Sequence, residues 1–271
     1  MKLRSKVEIR RARPLLGTIV DLSGNGPLEC GFAAIAKVHR LMSVHDPASD
    51  ISRLNRDGFA KPVRVHPWTW RVLKAAQEFA QESDGIFDVT AANRLGNWRD
   101  IILEKNHEVR FRRRVVVDLG GIAKGFAVDR AVDALRRAGV SSGIVNAGGD
   151  LRVFGPVARA IHLRNPVEPT LVSGTVRARH RAIATSATYF AHRALIDGQT
   201  GRAMIDHISV TVAAAGCMTA DALTKIMFVL REKAAPFLAR HGADALLLER
   251  DGSPCWRFHA PCDTRDRNRS D

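Results

Sequence analysis

The chain has 271 residues, 45% hydrophobic and 26% charged, with a formal net charge of +14 carried largely by scattered arginines. These are ordinary globular values, and the length suits one large domain or two modest lobes around a substantial core. No apolar run is long enough for a signal peptide or a membrane span, and the four cysteines (Cys30, Cys217, Cys255, Cys262) contain no CxxC pair that would mark a zinc site or disulfide framework.

A cytoplasmic location is the resulting expectation for the chain as written, with export expected only if a leader precedes it. Basic excess attracts polyanions, so nucleic acid, an anionic membrane and a phosphate-bearing ligand all suit the charge. The basic stretch at 4–13 has no interleaved aromatic, that at 110–114 has Phe111 alone, and no recognisable binding motif accompanies either, so no dedicated nucleic-acid binding is expected. A solvated arginine surface accounts for most of the charge.

In chain order, residues 1–13 form a basic N-terminal segment, and 14–22 read as a loop entering a strand. A turn at Gly24, Asn25 and Gly26 leads to Pro27, which opens a helix with Leu28, Phe32, Ile35, Val38 and Met42 on its apolar face. Residues 43–55 are polar and rich in short side chains that bond backbone, which predicts a loop with a short helix at its end. There His45, Ser52 and Asn55 read either as turn and cap residues or as ligand contacts. A short strand at 62–65 precedes a helix that places Trp68, Val72, Ala76 and Phe79 together. Then come Ile86, Phe87, Asp88, Val89 and Thr90, a loop containing Trp98, and a predicted hairpin over 107–117.

The densest chemistry lies at 115–155. Val115, Val116 and Val117 read as a short buried strand ending at Asp118. Gly120, Gly121 and Gly125, with Lys124 among them, open a helix that carries Val128, Ala131, Val132 and Leu135 and ends at Gly139. A glycine loop at a helix N-terminus offers backbone N–H groups to a phosphate, and Lys124 adds a point charge; the same glycines also serve a plain tight turn. The spacing is neither a Walker A loop nor GxGxxG. A strand over 143–146 opens into Ala147, Gly148, Gly149 and Asp150. The two glycine turns, each with an aspartate, are therefore separated by about the length of one strand–helix–strand unit.

Beyond Asp150 the pattern is β-rich. Segments 151–154, 160–164 and 174–184 alternate apolar with basic residues, 197–201 has turn chemistry, and 207–213 reads as a strand. A helix over 219–230 takes Thr219 as N-cap and Leu223, Ile226, Met227 and Leu230 as its core face. A short helix at 233–241, a strand at 245–249, a turn at Asp251 and Gly252 and a strand through Trp256 follow, and 262–271 reads as a disordered tail. The expected architecture is one α+β domain over 14–261, mixed sheets with packed helices, as one body or as two lobes sharing a cleft.

Seven blocks in order, LLGTIV, SVHDPASDISRLN, GIFDVT, VDLGGIAKGFAVDRAVDAL with VNAGGDLRVFG, ATSATYF, IDGQTG and SVTVAAAGCMTADALTKIMFVL, resemble the ApbE family, the FAD:protein FMN transferases. The resemblance runs from about residue 16 to about residue 230. It implies an ApbE-like fold that binds FAD with Mg²⁺ in a cleft. The implied reaction cleaves the FAD pyrophosphate, releases AMP and joins FMN through a phosphoester to a Thr or Ser of a partner flavoprotein. By the same resemblance Leu16 lies beside the flavin where the family usually has Met, and His45 packs on the isoalloxazine. Ile86, Phe87 and Asp88 line the cofactor, Asp118 and Lys124 contact FAD, and Ile196 with Asp197 match the family's Ile-Asp. The backbone carbonyl near Gly121 and the side chain of Asp221 are the implied metal ligands.

Two positions depart from the family pattern. Ala194 replaces its histidine, which leaves His192 and Asp197 as candidate catalytic groups. Lys225 stands four residues after Asp221, where the family has a metal-binding Thr. An Asp–Lys pair at that spacing is an ordinary helix ion pair, or its ammonium stands where the metal would and weakens Mg²⁺ dependence. Two other readings are an FAD-binding protein without transferase activity and an FAD pyrophosphatase.

Overall fold

The structure, a computed structural model, describes residues 8–92, 95–187 and 195–260. Strands β1 (Ile9–Leu15) and β2 (Thr18–Gly24) form a hairpin, followed by helices α1 (Glu29–Met42) and α2 (Asp50–Asp57), strand β3 (Val63–Arg64) and helix α3 (Pro67–Glu82). Strands β4 (Ile101–Leu103) and β5 (Glu108–Phe111), helix α4 (Ala123–Arg137) and strands β6 (Gly143–Ala147) and β7 (Asp150–Phe154) come next. Strands β8 (Arg159–Arg164), β9 (Val172–Ala178), β10 (Ala182–Ala187), β11 (Leu195–Ile196), β12 (Ala203–Met204) and β13 (Ser209–Ala214) lead to helices α5 (Cys217–Leu230) and α6 (Ala235–Arg240). Strands β14 (Asp244–Leu248) and β15 (Pro254–Phe258) end the described chain.

The main sheet has the order β1-β2-β6-β7-β10-β13-β14-β15, and each neighbouring pair is antiparallel. Period-two alternation assigns its faces. Val20 and Leu22 of β2, Val145 of β6, Phe154 of β7, Ala184 of β10 and Val212 of β13 share one core with Phe126, Val128 and Val132 of α4 and Leu223 and Ile226 of α5. On the opposite face Leu151, Val153 and Ile183 pack with Ala178 of β9 and with Ile161 and Val176, so the β8–β9 hairpin covers that side. A small sheet, β3-β5-β4, stands apart from the main one. Among the described residues no helix is long and apolar enough to cross a membrane.

Several sequence expectations change here. Residues 9–13, read as part of a separate basic segment, and residues 14 and 15, read as loop, are the edge strand of the main sheet, because seven residues pair in register with β2 from Ile9↔Gly24 to Leu15↔Thr18. The hairpin expected over 107–117 closes earlier, between β4 and β5. Val115, Val116 and Val117 are not a strand. Val115 and Val117 are buried as predicted, but the backbone of Val117 pairs with a side chain: its N–H donates to Asn55 Oδ1 at 2.8 Å and its carbonyl accepts from Asn55 Nδ2 at 3.0 Å. The parallel strand–helix–strand unit is therefore absent, and β6 instead turns directly into β7 across Gly148 and Gly149.

The single strand expected over 174–184 is two, β9 and β10, broken where His180 adopts φ 51°. Helix α5 begins at Cys217, and its first N–H groups donate to another helix: Asp129 of α4 accepts from Cys217 N and Met218 N, each at 3.0 Å. Thr219 therefore lies inside the helix and is not its cap. The tail 262–271 lies outside the described residues.

Candidate functional site

A cleft of about 2240 Å³ is bounded by the β1–β2 turn, the loop after α3, the glycine loop before α4, the β6–β7 turn, one side of α5 and the β8–β9 hairpin. Each wall has a local cause. The β1–β2 turn has two central residues, Leu16 and Gly17, both at positive φ (57° and 70°), the backbone hand that matches the twist of a hairpin. A bulky residue in that region costs about 1–2 kcal/mol, and the register of β1 on β2 holds Leu16 there, half-buried at the cleft.

The loop after α3 is tied by its own polar groups. Ser83 Oγ donates to the Phe79 carbonyl and accepts from Phe87 N, while Asp88 accepts from Thr90 N, Thr90 Oγ1 and Trp98 N. Burial pushes the Asp88 carboxyl above its ordinary range, and these hydrogen bonds only partly oppose that. Gly198 N donates to the Ile86 carbonyl at 3.0 Å, and a Cβ at Gly198 would stand 2.3 Å from the Gly85 carbonyl oxygen. Only glycine allows the 197–201 turn to approach this closely.

Before α4, Asp118 Oδ1 accepts from Gly120 N at 2.8 Å. The helix begins with no side-chain cap of its own, and Gly125 N donates to Asp221 Oδ2 at 3.0 Å. Helices α4 and α5 cross at this point, where a Cβ on Gly125 would lie 2.3 Å from the Cys217 carbonyl oxygen. Two buried carboxylates thus lie beneath the glycine loop, Asp150 from the β6–β7 turn at 1% exposure and Asp221 from α5 at 0%.

Each carboxylate carries an ammonium on its cleft side. Lys124 Nζ contacts Asp150 Oδ2 directly. Lys225 Nζ donates to Asp221 Oδ1 at 2.5 Å, Ser186 Oγ at 2.9 Å and Thr224 Oγ1 at 3.1 Å. Thr224 Oγ1 in turn donates to the Asp221 carbonyl at 2.6 Å and lies 2.7 Å from Ser186 Oγ. Burial and the neighbouring Asp221 charge push Asp150 up. Burial would also raise Asp221, but Lys225, Lys124 and the Gly125 N–H bond hold it below the ordinary carboxylate range. For Lys124 burial opposes the charge, and Asp150 with Asp221 more than offset it, raising its pKa. The two ammonium groups are therefore fixed cations beside an apolar wall of Leu16, Ile86, Phe87 and Ile196, an arrangement suited to an anion joined to a flat apolar group.

Of the residues singled out from sequence, Leu16, Ile86, Phe87, Asp88, Asp118, Gly121, Lys124, Ile196 and Lys225 line this one cleft. Asp221 lies behind Lys225 and acts on the cleft through it. His45 is exposed and outside the lining, with its backbone N–H on Ser43 Oγ. Asp197 is buried in its own turn, accepting from Gln199 N at 3.0 Å and Thr200 Oγ1 at 2.6 Å, and does not line the cleft. His192 and Ala194 lie outside the described residues. Sequence reasoning missed Ser186 and the structural use of Asn55 and Asp129; a lone serine in a strand gives no signal, whereas Asn55 reads from sequence as a turn or cap residue or as a ligand contact.

The donor set does not fit a divalent cation. Among the described residues no three His, Cys, Asp or Glu side chains cluster as a metal site, and the oxygens gathered at Asp221, Ser186 and Thr224 already surround an ammonium.

The described ApbE family model matches residues 16–247. An FAD:protein FMN transferase of Vibrio cholerae is 28% identical over 241 residues, covering 73% of this chain and 72% of that protein. One from Haemophilus influenzae is 27% identical over 251 residues, covering 75% and 72%. Among solved structures, the ApbE protein of Thermotoga maritima superposes with a TM-score of 0.82 at 25% identity, covering 94% of this chain and 97% of that one. The apo flavinyl transferase ApbE of Pseudomonas stutzeri gives 0.79 at 20% identity, with 96% of each chain covered.

Proposed function

The chain belongs to the ApbE family, and from that premise we propose that its cleft binds FAD and transfers FMN to a hydroxyl of a partner flavoprotein. The observation that carries this reading is the joining, in one cleft, of the apolar wall and the paired Lys124 and Lys225 ammonium groups from segments far apart in sequence. Leu16, Ile86, Phe87 and Ile196 take the flavin side. Lys124, Lys225 and the glycine loop at Gly120 and Gly121 face the pyrophosphate. Asp118 and Asp88 are proposed as the polar contacts at its edges.

In the transfer, the acceptor Thr or Ser oxygen forms a bond to the FMN phosphorus as the anhydride P–O bond breaks. AMP leaves with that electron pair, and the proton of the hydroxyl passes to solvent, so that FAD and the acceptor hydroxyl give AMP, the FMN phosphoester and one proton. Charge builds on the leaving phosphate, where fixed cations stabilise it more than they stabilise the ground state. Mg²⁺ supports such chemistry in general by neutralising phosphate oxygens, but the residues here do not form its site, and no step is assigned to it.

Incubation with FAD and an acceptor flavoprotein tests the reading. AMP release together with flavin fluorescence that stays on the acceptor in a denaturing gel is the expected outcome. AMP with free FMN would make the protein a pyrophosphatase, and intact bound FAD would make it a flavin-binding protein.

A further inference from the structure

Lys225 is placed as a structural cation. An ammonium carries three N–H donors and no acceptor, and here three oxygens take them: Asp221 Oδ1, Ser186 Oγ and Thr224 Oγ1. They come from two elements, β10 and α5, and two of the three residues are fully buried. A carboxylate with two hydroxyls is also a donor set for a hard cation. A dication bound to the same oxygens would lie within about a hydrogen bond's length of Nζ, and charges of like sign at that range exclude one another. The side chain remains 18% exposed toward the cleft while Asp221 behind it is sealed at 0%, so an incoming anion meets the cation first. A side chain built on Gly121 would touch Lys225 Cε at 3.6 Å, which puts the lysine stem directly under the glycine loop.

We propose that Lys225 takes the place of a divalent cation in this cleft, so that the FAD pyrophosphate is held by Lys124 and by the charge of Lys225, whose N–H groups stay on the protein oxygens, without a metal ion. The proposal rests on the FAD reading above and adds to it a specific cation source.

The test is the dissociation constant for FAD, read from flavin fluorescence of the purified protein in excess EDTA and in millimolar Mg²⁺. The wild-type constant is expected to differ by less than about threefold between the two conditions, a change smaller than the tenfold that corresponds to one strong interaction. A larger gain with Mg²⁺ overturns the proposal. Lys225→Thr is expected to weaken FAD binding in EDTA and to regain it with Mg²⁺, because the oxygens are then free for the ion. Should that variant fail to fold, Mn²⁺ bound to the wild-type protein with FAD, read by electron paramagnetic resonance, decides: stoichiometric Mn²⁺ overturns the proposal and unbound Mn²⁺ supports it. Absence of FAD binding in both conditions instead overturns the FAD reading itself.

Discussion

Asp150 and Asp221 are both sealed from water beneath the glycine loop, yet their surroundings pull their proton affinities apart. Burial and the Asp221 charge raise Asp150, whereas Lys225, Lys124 and Gly125 N hold Asp221 down against its burial. On acidification Asp150 therefore takes up a proton before Asp221, and carboxyl-carbon NMR titration of the two side chains checks that order. The stability consequence has opposite signs for the two groups. Asp221, lowered in the folded state, contributes stability that is fully present above the unfolded carboxylate value of about 4 and is lost as pH falls through its folded value. Asp150, raised, favours the fold at lower pH, and that contribution is lost as pH rises through its own folded value. Asp221→Asn should thus flatten the acid limb of a stability–pH curve from urea unfolding; an unchanged acid limb would refute the assignment. At this scale the sequence disclosed what is local. Lys124 and the glycines were legible because loop, charge and helix start are consecutive. The Lys124–Asp150 and Lys225–Ser186 contacts join residues 26 and 39 positions apart, and no local pattern encodes them. His45 and Asp197 were expected at the flavin, but Asp197 is spent on the backbone and hydroxyl of its own turn.

Helix boundaries depend on who satisfies the first N–H groups. Thr219 looked like a cap because its residue type suits one, but a carboxylate on another helix does the work two residues earlier. Asp129 accepts from Cys217 N and Met218 N and also from Arg152 Nη1 at 2.7 Å. Asp129→Ala removes the cap of α5 and leaves a largely buried guanidinium without its ion partner. A loss of about 2 kcal/mol is expected, at the upper end for a cap, which lowers the melting temperature by roughly 4–8 °C. A shift below a degree in calorimetry would show that α5 starts independently of α4. Helix periodicity is readable in α1 and α3, which bury one face each, whereas α4 and α5 are buried through consecutive residues at 125–129 and 220–224, so their large apolar residues mark only part of what they bury. The valines at 115–117 were read as a strand because β-branched burial is the usual mark of one; strand status also requires a neighbouring backbone, and here the neighbour is the amide of Asn55.

At the scale of the whole molecule, the basic residues Arg10, Arg11 and Arg13 are part of the sheet, with Arg10 paired to Asp21 of β2. Deleting residues 1–15 bares the edge of β2, which already carries Ile19 at 61% exposure, and an unprotected edge recruits other strands. The truncated protein should associate in sedimentation velocity and melt lower than the full chain; a monomer of unchanged stability would show β1 to be dispensable. The α+β class and the helix-on-sheet layering were legible from composition and periodicity. Sheet order was not, because β2 pairs with β6 across the whole of α1 to α4. That pairing also sets a schedule for synthesis. At a translation rate of about 5–20 residues per second, the first hairpin waits roughly 6–25 s for its partner strand to leave the ribosome. The cleft lining runs from Glu8 to Phe228, so a nascent chain has no complete flavin pocket until residue 228 has been made, and flavin capture reports that both ends of this span have met.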